Sequence, residues 1–407
     1  MNHTQIPEAP GDLNRRWRAA TTARDAMALA AALRDPSIHI ARAAIRRITE
    51  LDPPWGSAVL RGALFSADIS VVEDLAKALN DVNDPLAFEL ASSGLHEEPY
   101  THRVAGAVTL GVLGGQQGVP ALQEALHDPI AAVRLAAARA LNKLPDHEDA
   151  AQRGMALLSD PSGQVRAAAV TLIVRDHPAP AGVLHQLIAD DDQLVRLELA
   201  RHAGALLDDD VLQLLADPDD GVRAQATRCA GTPFVQALGE LLTGDRSIDV
   251  RRAAARTLGA IGDGAAVDAL LYGIEDHDSL VRICALNALE HALTRSGVVA
   301  RLADELLSER ARRRKSSIYS LARLPGANHG QVIWRLADDP NVDVRLAVVA
   351  TAEVLLADSE SLLTYMSTDP DTAVREGAKR RLERANPNGW RGPPAPLPHA
   401  PAGPMSD

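Results

Sequence analysis

Aromatic residues make up only 3% of this chain, and its 407 residues include just two cysteines, Cys229 and Cys284. Two distant cysteines cannot build a disulfide framework, and without a C-x-x-C pair or a His/Cys cluster there is no zinc-ligand pattern. With so few aromatics, burial has to come from Ala, Leu and Val, which suits close helix–helix contact better than one broad core. No apolar run is long enough to span a bilayer, and residues 1–18 have no apolar segment of the kind a secretory leader needs. A cytoplasmic location is therefore expected. The formal net charge of -12 argues against a general nucleic-acid coat but leaves a local groove open. No Ser/His/Asp order, glycine-rich phosphate loop or Walker-type lysine is present, so no catalytic residue, metal or other cofactor is assigned.

What the chain does contain is a repeat. An aspartate is followed by Val-Arg at a nearly constant distance, as in Asp128-Pro129…Val133-Arg134, Asp160-Pro161…Val165-Arg166 and Asp190…Val195-Arg196. The same step recurs at Asp217…Arg223, Asp245…Arg251, Asp276…Arg282, Asp339…Arg345 and Asp369…Arg375. A period near thirty residues indicates stacked units, each packing on its neighbours. In residues 118–144, Val119, Leu122 and Leu126 mark a short helix with Pro120 in its first turn, and Asp128-Pro129 makes the turn. Asp128 is expected to cap a second helix, on which Val133, Ala137, Ala140 and Leu141 share one face before Leu144-Pro145 ends it. Weaker copies place Arg42, Glu73, Arg103 and Lys315 at the arginine position.

One pattern serving every copy points to a stacking device rather than a ligand site. Equivalent aspartates and arginines on neighbouring units are placed to form a hydrogen-bonded ladder.

The run Leu258-Gly259-Ala260-Ile261-Gly262-Asp263…Ala266-Val267…Leu270-Leu271…Asp276…Val281-Arg282…Leu289 resembles HEAT repeats of the phycobilisome-lyase-like class. The resemblance implies an all-α fold, a right-handed α-solenoid of about twelve HEAT-like helical hairpins. The expected organisation is a flexible N-terminus over 1–14, the solenoid over 15–385, and a proline-rich, disordered tail over 386–407.

The class also contains bilin lyase subunits and an iron-dependent hydroxylase that holds its metal with His-Glu pairs on repeated helices. Here only His96-Glu97 and His147-Glu148 occur, both in expected turns, and the residues after each Val-Arg step are not metal ligands. A HEAT-like DNA glycosylase would need aromatics facing a basic groove, which this composition does not supply.

The positions behind the repeat are more informative. Five residues after each arginine stand Arg139, Thr171, Arg201, Arg228, Arg256 and Asn287, with Lys143, Arg175, Glu198, Gln225 and Arg252 nearby. The resemblance implies that second helices line a concave side, so these residues are expected to form a basic stripe in an acidic protein. A second basic stretch, Arg310 and Arg312, Arg313, Arg314 and Lys315, replaces an acidic turn and reads as a solvated face or a local contact. The expected function is a non-catalytic scaffold or adaptor binding another protein or peptide, acidic ones included, along the groove. A subunit of a protein-modifying enzyme and a nucleic-acid binder using the local stripe are the alternatives.

Overall fold

In a computed structural model the described residues are 10–66, 68–144, 150–174, 181–296, 298–323 and 330–385. Among them every regular element is helical. Two compact units divide the chain, residues 1–214 and 215–407. The first contains α1 (Pro10–Thr22), α2 (Ala26–Leu33), α3 (Ile38–Leu51), α4 (Gly56–Ala63), α5 (Ile69–Asp81), α6 (Ala87–Gly94) and α7 (Tyr100–Leu113). It continues with α8 (Val119–Ala125), α9 (Ala131–Lys143), α10 (Ala150–Leu157), α11 (Gly163–Val174), α12 (Ala181–His185) and α13 (Gln193–Arg201). Helix α14 (Asp208–Leu215) falls at the division. The second unit contains α15 (Asp220–Cys229), α16 (Val235–Gly244), α17 (Ile248–Ile261), α18 (Gly264–Gly273), α19 (Ser279–Ser296) and α20 (Val298–Glu305). Its last helices are α21 (Ala311–Ala322), α22 (Gly330–Leu336), α23 (Val342–Leu355), α24 (Ser359–Met366) and α25 (Thr372–Ala385). Helix α1 begins upstream of the expected boundary at residue 15 and packs on α3. The tail, 386–407, lies outside the described residues.

The architecture is an α-solenoid of helical hairpins. In the first unit the second helices α3, α5, α7, α9, α11 and α13 each pack on the next, and α15–α17–α19 and α21–α23–α25 do so in the second. Small side chains allow the close approach. A Cβ added at Gly111 would lie 2.7 Å from Ala140 Cα, and one at Gly259 would lie 2.5 Å from Ala288 Cβ. The core is correspondingly rich in Leu, Val and Ala, with Val133, Ala137, Val165, Ala169, Val250 and Ala254 fully buried. Each of these is a repeat position, buried by the same step in every unit.

Within each unit, neighbouring turns are tied through aspartate and arginine. Asp128 Oδ1 accepts the N–H of Ile130 at 2.7 Å, closing its own turn. The same carboxylate receives the Arg103 guanidinium from the preceding second helix at 2.6 and 3.2 Å. Its carbonyl accepts from Arg134 at 2.8 Å, and Arg134 reaches on to Asp160 at 2.7 and 2.9 Å. Arg166 holds Asp190, and in the second unit Arg223 holds Asp245, Arg251 holds Asp276 and Arg345 holds Asp369, each through Nε at 2.7–2.8 Å. Within its own turn every ladder arginine also donates to a backbone carbonyl. Arg166, Arg196, Arg223 and Arg251 donate to Asp160, Asp190, Asp217 and Asp245. Arg282, Arg345 and Arg375 likewise donate to Asp276, Asp339 and Asp369.

This arrangement corrects three sequence expectations. Asp128 does not cap α9, whose N-cap is Ile130; its carboxylate is committed to the turn and to Arg103. Asp219, two residues after Asp217, is a true cap and accepts the N–H of Val222 at 3.0 Å. The arginine position near residue 315 belongs to Arg314, which donates to the Ser308 carbonyl and holds Asp339 at 2.6 Å, while Lys315 pairs with Asp343. Near the start of the chain, Arg16 holds Asp35, whose Oδ1 closes the turn onto Ser37, but Arg42 does not go on to a turn aspartate. Arg42 reaches Asp74 on α5 instead.

The carboxyls of Asp128, Asp160, Asp190, Asp245 and Asp276 feel burial most, which pushes them up. The arginine hydrogen bond, the turn N–H and nearby arginine charge outweigh it and leave each below the ordinary 3.8. The folded state therefore binds fewer protons than the unfolded chain near that value. Ladder stability is present above it and is lost as pH falls through the lowered folded values. Thermal unfolding of the intact chain should show a midpoint that is flat from about pH 7 to 5 and falls below about pH 4. Arg251→Ala, which leaves Asp276 without its guanidinium, should cost about 3–5 kcal/mol by denaturant unfolding and weaken that acid dependence.

Candidate interaction groove

Repeating helices place the variable side chains on one face. In the first unit, α5, α7, α9, α11 and α13 border a cleft of about 870 Å³. Its floor is apolar: Val104, Val108, Leu135, Ala136, Ala167, Leu194 and Leu197 all line it. Leu194 is 40% exposed and Ile69, at one end, 49%. Around this floor stand Glu73, Arg139, Lys143, Thr171, Glu198 and Arg201.

These charges are mixed, with carboxylates beside the cations of the expected basic stripe. Lys143 Nζ meets Glu73 Oε1 at 3.0 Å, linking α9 to α5 across 70 residues of sequence. Lys143 and Lys77 hold the Glu73 carboxyl below its usual range. Glu198 accepts from Thr171 at 2.9 Å and from Arg201 at 2.8 Å, with His202 Nε2 at 3.3 Å. The His202 contact lowers its carboxyl most; burial opposes, and Thr171 and Arg201 add to the lowering. Arg139 is exposed and, among the described residues, has no carboxylate partner. The cleft thus offers apolar surface, two largely neutralised ion pairs and one available guanidinium.

The second unit has a smaller cleft of about 530 Å³, lined by Arg228, Arg256, Ala253, Thr257 and Ile261. Arg228 donates to Gln225 Oε1 at 3.0 Å, and Arg256 is exposed. Sequence reasoning therefore named two pairs that share clefts, Arg139 with Arg201 and Arg228 with Arg256.

The remaining candidates line neither. Arg252 pairs with Asp249 at 3.2 Å, and Asn287 Oδ1 accepts from Arg323 at 2.9 Å. Arg313 is held between Glu275 and Glu305 and lies over the Tyr272 ring at 4.4 Å. Arg314 belongs to the ladder, Arg312 is exposed, and Arg175 lies outside the described residues. The basic stretch is therefore not one positive surface, because Arg310, Arg313 and Arg314 are turned onto neighbouring carboxylates.

His202 and Cys229 are not core residues: one is half-buried and the other exposed. Among the described residues no group of three or more His, Cys, Asp or Glu side chains is placed to hold a metal ion. His147-Glu148 lies outside them, and Glu97 pairs with His102 at 2.7 Å. No described helix is long and apolar enough to cross a membrane. Glu73 as the partner of Lys143 was missed, since nothing local links positions 70 residues apart. Counting second helices from the repeat would have brought both to one face.

A family model described as HEAT repeats matches residues 89–153 and 235–322. Among solved structures, importin beta shares the fold with a TM-score of 0.54 at 15% identity, over 92% of this chain. A chain in a structure of Kap95p with RanGDP gives 0.50 at 13% identity, also over 92%. This chain spans 66% of the length of each. No curated protein matches it in sequence.

If the Glu73–Lys143 pair serves mainly to neutralise the groove, Glu73→Gln should change stability by less than about 1 kcal/mol, since exposed ion pairs contribute little. Urea unfolding of the variant measures this directly.

Proposed function

We propose that the chain is a scaffold or adaptor that binds another protein, and that the groove of its first unit takes a segment of that partner. HEAT-repeat solenoids commonly serve as protein-binding scaffolds, which supports a protein partner in general. The observation that carries the finer reading is the groove itself: a floor of Leu135, Leu194 and Leu197 beside the exposed Arg139, which has no carboxylate partner among the described residues. Apolar surface with one available cation suits a partner segment that presents aliphatic side chains and a carboxylate. Glu73 and Glu198 neutralise the other cations, so a polyanion gains little there, which favours a peptide over nucleic acid. The Arg228–Arg256 cleft provides a second contact for the same class of partner.

The partner set is read by affinity capture from native lysate with mass spectrometry, using the wild-type chain and two variants. Arg139→Glu and Leu197→Asp should each weaken capture of a common set of proteins by about tenfold or more, with unchanged thermal midpoints. Retention of the whole set by both folded variants would refute the groove as the binding surface.

A further inference from the structure

Among the described residues the ladder is interrupted after Arg282. Arg282 holds the carbonyls of Asp276 and His277 at 2.8 and 3.0 Å, as the other ladder arginines hold theirs. The position that carries Asp128, Asp160, Asp245, Asp276, Asp339 and Asp369 elsewhere carries Ser308 in the next repeat. Several contacts fix this register. Ser308 Oγ accepts the N–H of Arg310 at 3.4 Å, the same i+2 contact that each turn aspartate makes. Its carbonyl accepts from Arg314 at 2.7 Å, and Arg314 continues the ladder to Asp339. Arg310 and Arg313 both reach back to Glu275, so the Ser308 turn lies beside the turn that Arg282 holds. Ser308 follows Arg282 by 26 residues, the separation between Arg134 and its partner Asp160.

Among the described residues no carboxylate partners the Arg282 guanidinium, and that side chain is half-buried. A guanidinium cannot shed its proton, so the step is left with an uncompensated charge. Ser308 is half-exposed between exposed Leu307 and Glu309, with exposed Arg310 and Arg312 on the same stretch.

We propose that Ser308 is a phosphoacceptor, and that its phosphate supplies the missing anion opposite Arg282. The donor is a nucleoside triphosphate used by a kinase acting in trans. The Ser308 Oγ–phosphorus bond forms as the bond to the departing nucleoside diphosphate breaks, and the hydroxyl proton passes to the kinase's base. Phosphoserine brings a charge of about −1.5 to −2 and three acceptor oxygens, which match the donors of Arg282 and Arg310. Where turns such as those at Asp160, Asp245 and Asp276 are joined by a permanent carboxylate, the α18–α19 and α20–α21 hairpins are joined by a phosphate that is added and removed. The unmodified joint is held by Arg313 with Glu275 and by Ser316 Oγ donating to the Ile274 carbonyl at 3.2 Å.

The test uses the full chain with phosphoserine installed at 308 during translation, compared with unmodified protein, both also in an Arg282→Gln background. The phosphoserine protein should unfold roughly 2–4 °C higher, lose that gain on phosphatase treatment, and show no gain when Arg282 is glutamine. No gain, or an equal gain in both backgrounds, overturns the proposal. Inorganic phosphate should leave the unmodified protein's midpoint unchanged; an Arg282-dependent rise would assign the gap to a free anion instead. Peptide mapping of the protein from its native cells should find phosphate on Ser308, and its absence there under every growth condition overturns the modification.

Discussion

A turn aspartate such as Asp128, Asp160, Asp190, Asp245, Asp276 or Asp369 answers two demands at once. It must accept the N–H of its own turn and also receive a guanidinium from the preceding unit. Asp160 does both, and its carbonyl anchors the arginine that reaches the next turn. The local conformation of one turn is thereby coupled to the position of its neighbour. Burying such a pair is costly, and apolar replacements of equal size are often as stable. The ladder's contribution lies in register: a helix displaced along its neighbour would strand a buried charge, whereas a layer of Ala, Leu and Val alone could slide.

That division of labour explains the composition. Alanine and glycine at the contacts of second helices permit close approach, as at Gly111–Ala140 and Gly259–Ala288. They supply little shape to specify alignment, and the ladder supplies it. With alignment handled at the turns, the exposed face of the second helices is free to vary. The groove of the first unit is built from this variable face, and its charges are balanced locally by Glu73 and Glu198.

Much of this was legible in the sequence because the repeat reports on itself. Recurrence of Asp and Val-Arg gave the helical hairpins, the stacking partners and the face on which Arg139 and Arg201 sit together. Three things were not legible, each for a physical reason. Whether a cation is free depends on partners that sequence distance conceals, as with Lys143 and Glu73. Arg313 and Arg314 read as part of one basic surface, yet a single step around the helix sends one to Glu275 and the other to Asp339. The change from Arg to Lys at position 315 looked like a weakened copy, while the real change was the loss of the turn carboxylate at Ser308.

The account stands on coupling between turns, and a double-mutant cycle on Arg223 and Asp245 in the intact chain measures it. Each of Arg223→Met and Asp245→Leu should destabilise strongly, and the double variant should be less destabilised than the sum of the two. The expected coupling is about 1–3 kcal/mol, as for residues in one buried network. Additive effects, with the double variant as destabilised as the sum of the two, would contradict the ladder as the device that sets the register.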